Sequence, residues 1–271
     1  NTQSLIPNRR FAPTTNRHFF NQLCQNVVQS LSRSGPSGQL FQVDVRLRPL
    51  GRSGPLAITI DELKAYFVEG NDQIWERLAL CKARPVWGAQ PARRRAIASV
   101  REVLANGSRQ AEYASQTYQH RMSLEKGASS RNLKKGKGGT MDVEFLVQLL
   151  QLANASSRPE VLVPGTLAAV EQLQNAELLS ADTAGRLSDN YQFLRSIESG
   201  IRLMNLSARH ELPTDATSLE QLAFLLRSKR DVALSGSELE YRCGQVRRDC
   251  RAIFDDQFDD LLPQPADELS D

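Results

Sequence analysis

The sequence predicts a mainly α protein, with a small β portion toward its N-terminal end followed by a helical bundle. Over most of the 271 positions apolar residues recur three or four apart, the pattern of helices that bury one face. Strict apolar–polar alternation is confined to one stretch, Phe41 to Arg48, and resumes briefly at Leu56, Ile58 and Ile60. Glycine and proline punctuate the chain where one periodic run gives way to the next.

Residues 1–13 read as an extended lead-in. Phe19, Phe20, Leu23, Val27, Val28 and Leu31 then predict an amphipathic helix, stopped by Gly35-Pro36 and expected to pack behind the segment that follows. That segment is FQVDVRLRPLGRSGPL, Phe41 to Leu56. Its alternation buries Val43 and Val45 and puts Asp44, Arg46 and Arg48 on one open face, while Pro49 and Gly51 to Gly54 turn the chain as in a hairpin. Thr59-Ile60-Asp61-Glu62 has the form of a capping box and opens a helix that ends near Gly70. Ile74, Trp75, Leu78 and Cys81 mark the next helix, which Pro85 ends. Ile97, Val100, Val103 and Leu104 mark another, and Gln110 to Lys126 is more polar all round, as a connector would be.

The character of the chain changes at Gly127. Residues 127–139 read as a loop rich in Gly, Ser and Lys, and Thr140 starts a helix so apolar that most of its sides must be buried, with Glu144, Gln148 and Gln151 as its one polar stripe. Helices over Thr166 to Leu179, Ala181 to Leu206, Ser218 to Leu226 and Gly236 to Leu262 complete the bundle. Residues 263–271 read as a disordered acidic tail.

Composition narrows the function. No apolar run approaches the ~20 residues that span a bilayer, so a membrane role is not expected. Cys24, Cys81, Cys243 and Cys250 are scattered without metal-ligand spacing, which fits free thiols in a reducing cytoplasm. The net charge of +3 is uneven, with Arg84 to Lys137 strongly basic, yet that stretch lacks the interleaved aromatics that stack bases, and nucleic acid is not expected as a partner. Two places carry possible chemistry. Asp44 beside Arg46 and Arg48 suits a cation and a polyphosphate, or is simply an ion pair on a solvated face. The lysines and glycines before Thr140 suit an anion at a helix N-terminus, or are simply a linker.

VDVRLRPLGRSGPL, IWERLALCKARPVWG (Ile74 to Gly88) and KKGKGGTMDVEFLVQLLQL (Lys134 to Leu152) resemble, in order and spacing, blocks of the glutamine-synthetase adenylyltransferase family. The resemblance implies a nucleotidyltransferase domain of the DNA-polymerase-β type followed by a helical bundle. On that basis residues 1–126 are the C-terminal part of the nucleotidyltransferase domain with connector helices, and 127–262 are the bundle. The implied activity is transfer of AMP from ATP, with Mg2+, to a tyrosine of glutamine synthetase, with a PII-type regulatory protein as a further partner. Asp44 stands at the family's third metal-binding carboxylate, with Arg46 and Arg48 as catalytic neighbours. The resemblance puts Ser53, Gly54, Arg77, Lys82, Arg84, Lys137, Gly138, Gly139, Asp142 and Glu144 about the nucleotide. The family's other two carboxylates have no counterpart, because no Asp or Glu precedes Asp44, so the chain is expected to be an inactive fragment of a longer enzyme. The family's deadenylylating half and a non-catalytic helical interaction module are the alternatives.

Overall fold

The computed structural model describes residues 5–6, 14–35, 38–39, 41, 43–70, 72–106, 110–205, 210–227 and 234–262. The acidic tail and most of the N-terminal lead-in lie outside them. Mainly α is what the chain adopts. Among the described residues, β structure amounts to two antiparallel pairings of two residues each: β1 (Leu5–Ile6) with β2 (Thr14–Thr15), and β3 (Ser34–Gly35) with β4 (Gly38–Gln39). The helices are α1 (Asn16–Ser32), α2 (Ile60–Val68), α3 (Ile74–Leu80), α4 (Gln90–Ala105), α5 (Gln110–Lys126), α6 (Thr140–Asn154), α7 (Thr166–Asn175), α8 (Ala181–Asn205), α9 (Ala216–Arg227) and α10 (Gly236–Leu261). Two compact units result: residues 1–79 with 85–103, and residues 80–84 with 104–271.

The first unit departs from the expected hairpin. Residues 43–46 are irregular, 47–50 bend and turn, and Gly51–Ser53 form a 310 turn. An alternating pattern makes a strand only where a neighbour supplies the ladder, and among the described residues none pairs with this segment. Val43 and Val45 are accordingly only part-buried. The expected packing of α1 differs too. None of its residues is buried, and Phe20, Leu23, Val27 and Leu31 lie 44–50% exposed along one stripe.

Order in this unit comes instead from two buried charged side chains. Glu76, at the start of α3, accepts from the Leu50 N–H at 3.1 Å, the Gln73 N–H at 2.8 Å and the Tyr66 hydroxyl at 2.9 Å, which fastens the 49–54 turn to α2 and α3. Arg77 grips Asp72 with two bonds of 2.6 and 2.9 Å and donates to the Phe67 and Val103 carbonyls. The Thr59–Glu62 capping box closes the start of α2 as the sequence implies.

The second unit is the bundle. Eleven of the fifteen residues of α6 are buried, and α5, α7, α8 and α10 all pack on it, so it is the axis of the unit. Leu146, Leu149, Leu173, Leu187, Leu194, Ile197, Phe254 and Phe258 fill the core. Helix α5, which its polarity marks as a connector, packs on α6 and α10, with Tyr118 against Phe254 and Phe258. Gln151 answers the cost of its burial by donating to the Val161 and Val163 carbonyls at 2.7 and 3.0 Å.

Glu76→Ala should strip three donors of their acceptor and destabilise the first unit by about 3 kcal/mol, from the usual cost of buried unpaired donors. Glu76→Gln, which keeps a carbonyl acceptor, should cost less. Urea unfolding followed by near-ultraviolet circular dichroism ranks the two; equal stability of Glu76→Ala and the parent chain would contradict this role.

Candidate functional site

Asp44 is a predicted site residue that stays open to solvent. Its carboxylate accepts from Arg46 through the backbone N–H at 3.0 Å, Nε at 2.9 and 3.0 Å, and Nη2 at 2.6 Å. The Arg46 guanidinium, and after it the Arg46 backbone N–H, hold the Asp44 carboxyl down to about 2, so it is a carboxylate at any physiological pH. Both side chains are half or more exposed. Such an exposed pair contributes little to stability.

Arg48 is placed differently from Arg46. Its guanidinium donates to the carbonyls of Val45, Arg52 and Gly54, the last at 3.0 and 3.2 Å, and so ties off the 310 turn. Gly54 is buried there, and a Cβ on it would overlap the Pro49 carbonyl, so this close turn admits only glycine. Ser53 lies exposed on the same turn. Arg77, also of the first unit, is buried with its donors spent on Asp72, Phe67 and Val103.

The other predicted site residues belong to the second unit. Asp142 is fully buried at the start of α6. One oxygen accepts from Arg121 Nε of α5 at 2.5 Å; the other accepts from the Gly138 N–H at 2.8 Å and from Arg251 Nη1 of α10 at 3.3 Å. Burial pushes its carboxyl up, and the two guanidiniums and the N–H pull against that. Glu125 joins the cluster, 2.8 Å from Arg251 and 3.3 Å from Arg121. Gly138 has φ +71°, and a Cβ there would overlap the Arg247 carbonyl; one on Gly139 would lie 2.6 Å from the Leu133 carbonyl. The first N–H groups of α6 are also taken, Thr140 by the Leu133 carbonyl at 2.8 Å and Met141 by that of Lys134 at 3.1 Å. Arg247 donates to the Lys137 carbonyl at 2.7 Å, while the Lys137 side chain is exposed. The donors that would greet an anion at this helix end are thus occupied within the loop.

Glu144 has partners on both oxygens. Lys82 Nζ lies 2.6 Å from its Oε2, and the Tyr191 hydroxyl donates to its Oε1 at 2.9 Å. Burial and then Glu144 push the Tyr191 hydroxyl up to about 12. Arg84 is exposed, and no partner for it occurs among the described residues. The structure therefore brings together Asp44 with Arg46, Lys82 with Glu144, and Gly138 with Asp142.

Sequence reasoning missed Arg121, Arg247 and Arg251. The signal was present: Arg121 falls on the Tyr113, Ala114, Thr117 face of α5, and Arg251 falls between Cys250 and Phe254, cations at positions where the helix turns inward. Among the described residues, no group of three His, Cys, Asp or Glu side chains is gathered to hold a metal ion, and Asp44 offers one carboxylate whose oxygens already accept from Arg46. The described residues by themselves do not fit a magnesium centre. No described helix is long and apolar enough to cross a membrane.

Residues 11–99 match the family model described as glutamate-ammonia ligase adenylyltransferase, and residues 108–258 match that described as GlnD PII-uridylyltransferase. Both descriptions are of nucleotidyl-group transferases. Among the relatives is the bifunctional glutamine synthetase adenylyltransferase/adenylyl-removing enzyme of Hahella chejuensis, 34% identical over 77% of this chain and 22% of its own length. Those of Agrobacterium fabrum and Rhizobium meliloti are 30% and 29% identical over 88% and 94% of the chain, and 25% and 26% of their lengths. The chain belongs to the glutamate-ammonia ligase adenylyltransferase family, and its helical half belongs to the family that the GlnD PII-uridylyltransferase model describes. It spans about a quarter of the length of these relatives.

The Asp44 carboxyl should titrate near 2 in a carbon-detected NMR titration and move back toward 3.8 in Arg46→Gln. A normal value in the parent chain would contradict the Asp44–Arg46 geometry.

Proposed function

We propose that this chain is part of an adenylyltransferase in which AMP passes from ATP to a tyrosine hydroxyl of glutamine synthetase. The observation that carries the reading is the solvent-facing Asp44 carboxylate held by Arg46, within the segment that matches the adenylyltransferase family. In such a transfer the tyrosine oxygen bonds to the α-phosphorus and pyrophosphate leaves. Asp44, charged at neutral pH, is suited to supply one ligand to a cation, and Arg46 is suited to the phosphate oxygens, while the phenolic proton passes to solvent. A magnesium ion would supply further charge neutralisation when bound. One carboxylate does not make its site, so the chain alone is expected to be inactive. The match of the helical half to a PII-uridylyltransferase model supports a PII-type protein as regulatory partner, and the buried free thiols support a cytoplasmic setting.

Because the relatives' printed name covers both addition and removal of the adenylyl group, the test separates the two. In the enzyme that carries this chain, Asp44→Asn should lower transfer of label from ATP marked at the α-phosphate to glutamine synthetase by roughly a hundredfold or more, the scale of losing one essential electrostatic group. Phosphate-dependent release of AMP should persist. Loss of release with intact transfer would assign the chain to the removing half, and loss of neither would leave a helical interaction module.

A further inference from the structure

The loop before α4 ends in a feature that neither the Asp44 cluster nor the bundle uses. Trp87 is 92% exposed and Val86 75%, although an indole so placed gives up most of the apolar burial open to a tryptophan. Gly88, at φ +120°, lets the chain turn directly beneath this tip. A Cβ on Gly88 would lie 3.8 Å from Arg93 Cγ, so the arginine stem rises from the foot of the same loop. Arg93, Arg94 and Arg95 follow one another, all exposed, in the opening turns of α4. Their position is electrostatically unfavourable, because the first turns of a helix carry its positive end and here hold no acidic residue. From Pro85 to Arg101 the sequence contains no Asp or Glu at all. The acid beside the cluster is Asp61, 3.9 Å from Arg95 with both side chains at least 70% exposed, and no partner for Arg93 or Arg94 occurs among the described residues.

We propose that Val86, Trp87 and the arginines 93–95 form a docking surface for an acidic segment of the protein substrate that also carries an apolar side chain. The inference rests on the reading that this enzyme acts on another protein, and it adds where that protein is held. Charge complementarity selects the acidic component: three adjacent exposed cations at a positive helix end, of which only Arg95 has an acid within 4 Å among the described residues, favour carboxylates. The exposed indole beside Val86 selects the apolar component, since aromatic side chains are the usual anchors of protein interfaces. A single aromatic also argues against a nucleic-acid groove, which stacks successive bases on several rings, and Trp87 is the one aromatic residue between Pro85 and Val103. The same unit carries Asp44, so a substrate held here meets the unit that bears the reactive carboxylate.

The 271-residue chain is titrated with a twelve-residue peptide of Glu and Leu, with its Gln-for-Glu counterpart, and with oligouridylate, following tryptophan emission. The acidic peptide should shift the emission to the blue, and the shift should vanish in Trp87→Phe. The triple variant R93Q/R94Q/R95Q should bind about tenfold more weakly, as expected for several exposed charge contacts, and added salt should weaken the parent chain likewise. Equal binding of the Gln peptide, or an unaffected triple variant, would overturn the proposal, and tighter binding of oligouridylate would replace it with a nucleic-acid site. Immobilised glutamine synthetase then tests the source: retention of the parent chain and its loss in Trp87→Ala support docking of the substrate. Peptide binding without retention of the parent chain on glutamine synthetase would overturn the substrate assignment while leaving the peptide result standing.

Discussion

The helical unit depends on the buried carboxylate of Asp142. Taking a charge wholly out of water costs several kcal/mol unless it is paired and hydrogen-bonded, and Asp142 meets that condition by drawing on three separate parts of the chain. Arg121 reaches it from α5, Arg251 from α10, and the Gly138 N–H from the loop. Removing one member of such a set leaves an unpaired buried charge, so the arrangement fixes how these elements meet more strictly than apolar packing alone would. The glycines follow from the same constraint. Gly138 must sit against the Arg247 backbone to bring its N–H to Asp142, and a side chain there has no room.

This division of labour separates the residues that the family pattern groups together. Asp142, Gly138 and Gly139 are spent on holding the bundle, and Arg77 and Glu76 on holding the first unit. What remains charged and accessible is Asp44 with Arg46, together with the cations that stay in solvent: Arg84, Lys137 and the arginines at the head of α4. A motif that extends over a dozen residues can thus owe part of its character to folding and part to function.

Much of this was legible in the sequence. The helices begin and end close to where caps, prolines and glycines set them, because those signals are local: Thr59 and Glu62 make the capping box of α2, and α5 spans residues 110–126 as read. An acid on so apolar a helix calls for a basic or N–H partner, a rule that leaves Lys82, Arg84 and Arg46 equally eligible and does not say that Lys82 is the one that meets Glu144. What the alternation of residues 41–48 did not reveal was the lack of a neighbouring strand among the described residues, since a ladder is a property of two segments and the pattern records one. Arg48 illustrates the same limit. Its spacing put it on a face with Asp44, while the turn at Gly54, which the alternation does not contain, drew its guanidinium to the Gly54 carbonyl.

Native-state hydrogen exchange at the Gly138 amide distinguishes a loop built into the bundle from one that waits for an anion. With its N–H bonded to buried Asp142 and covered by Arg247, that amide should exchange as slowly as those in the middle of α6. Exchange near the rate of an unstructured chain, slowed only by adding nucleotide or pyrophosphate, would contradict the account.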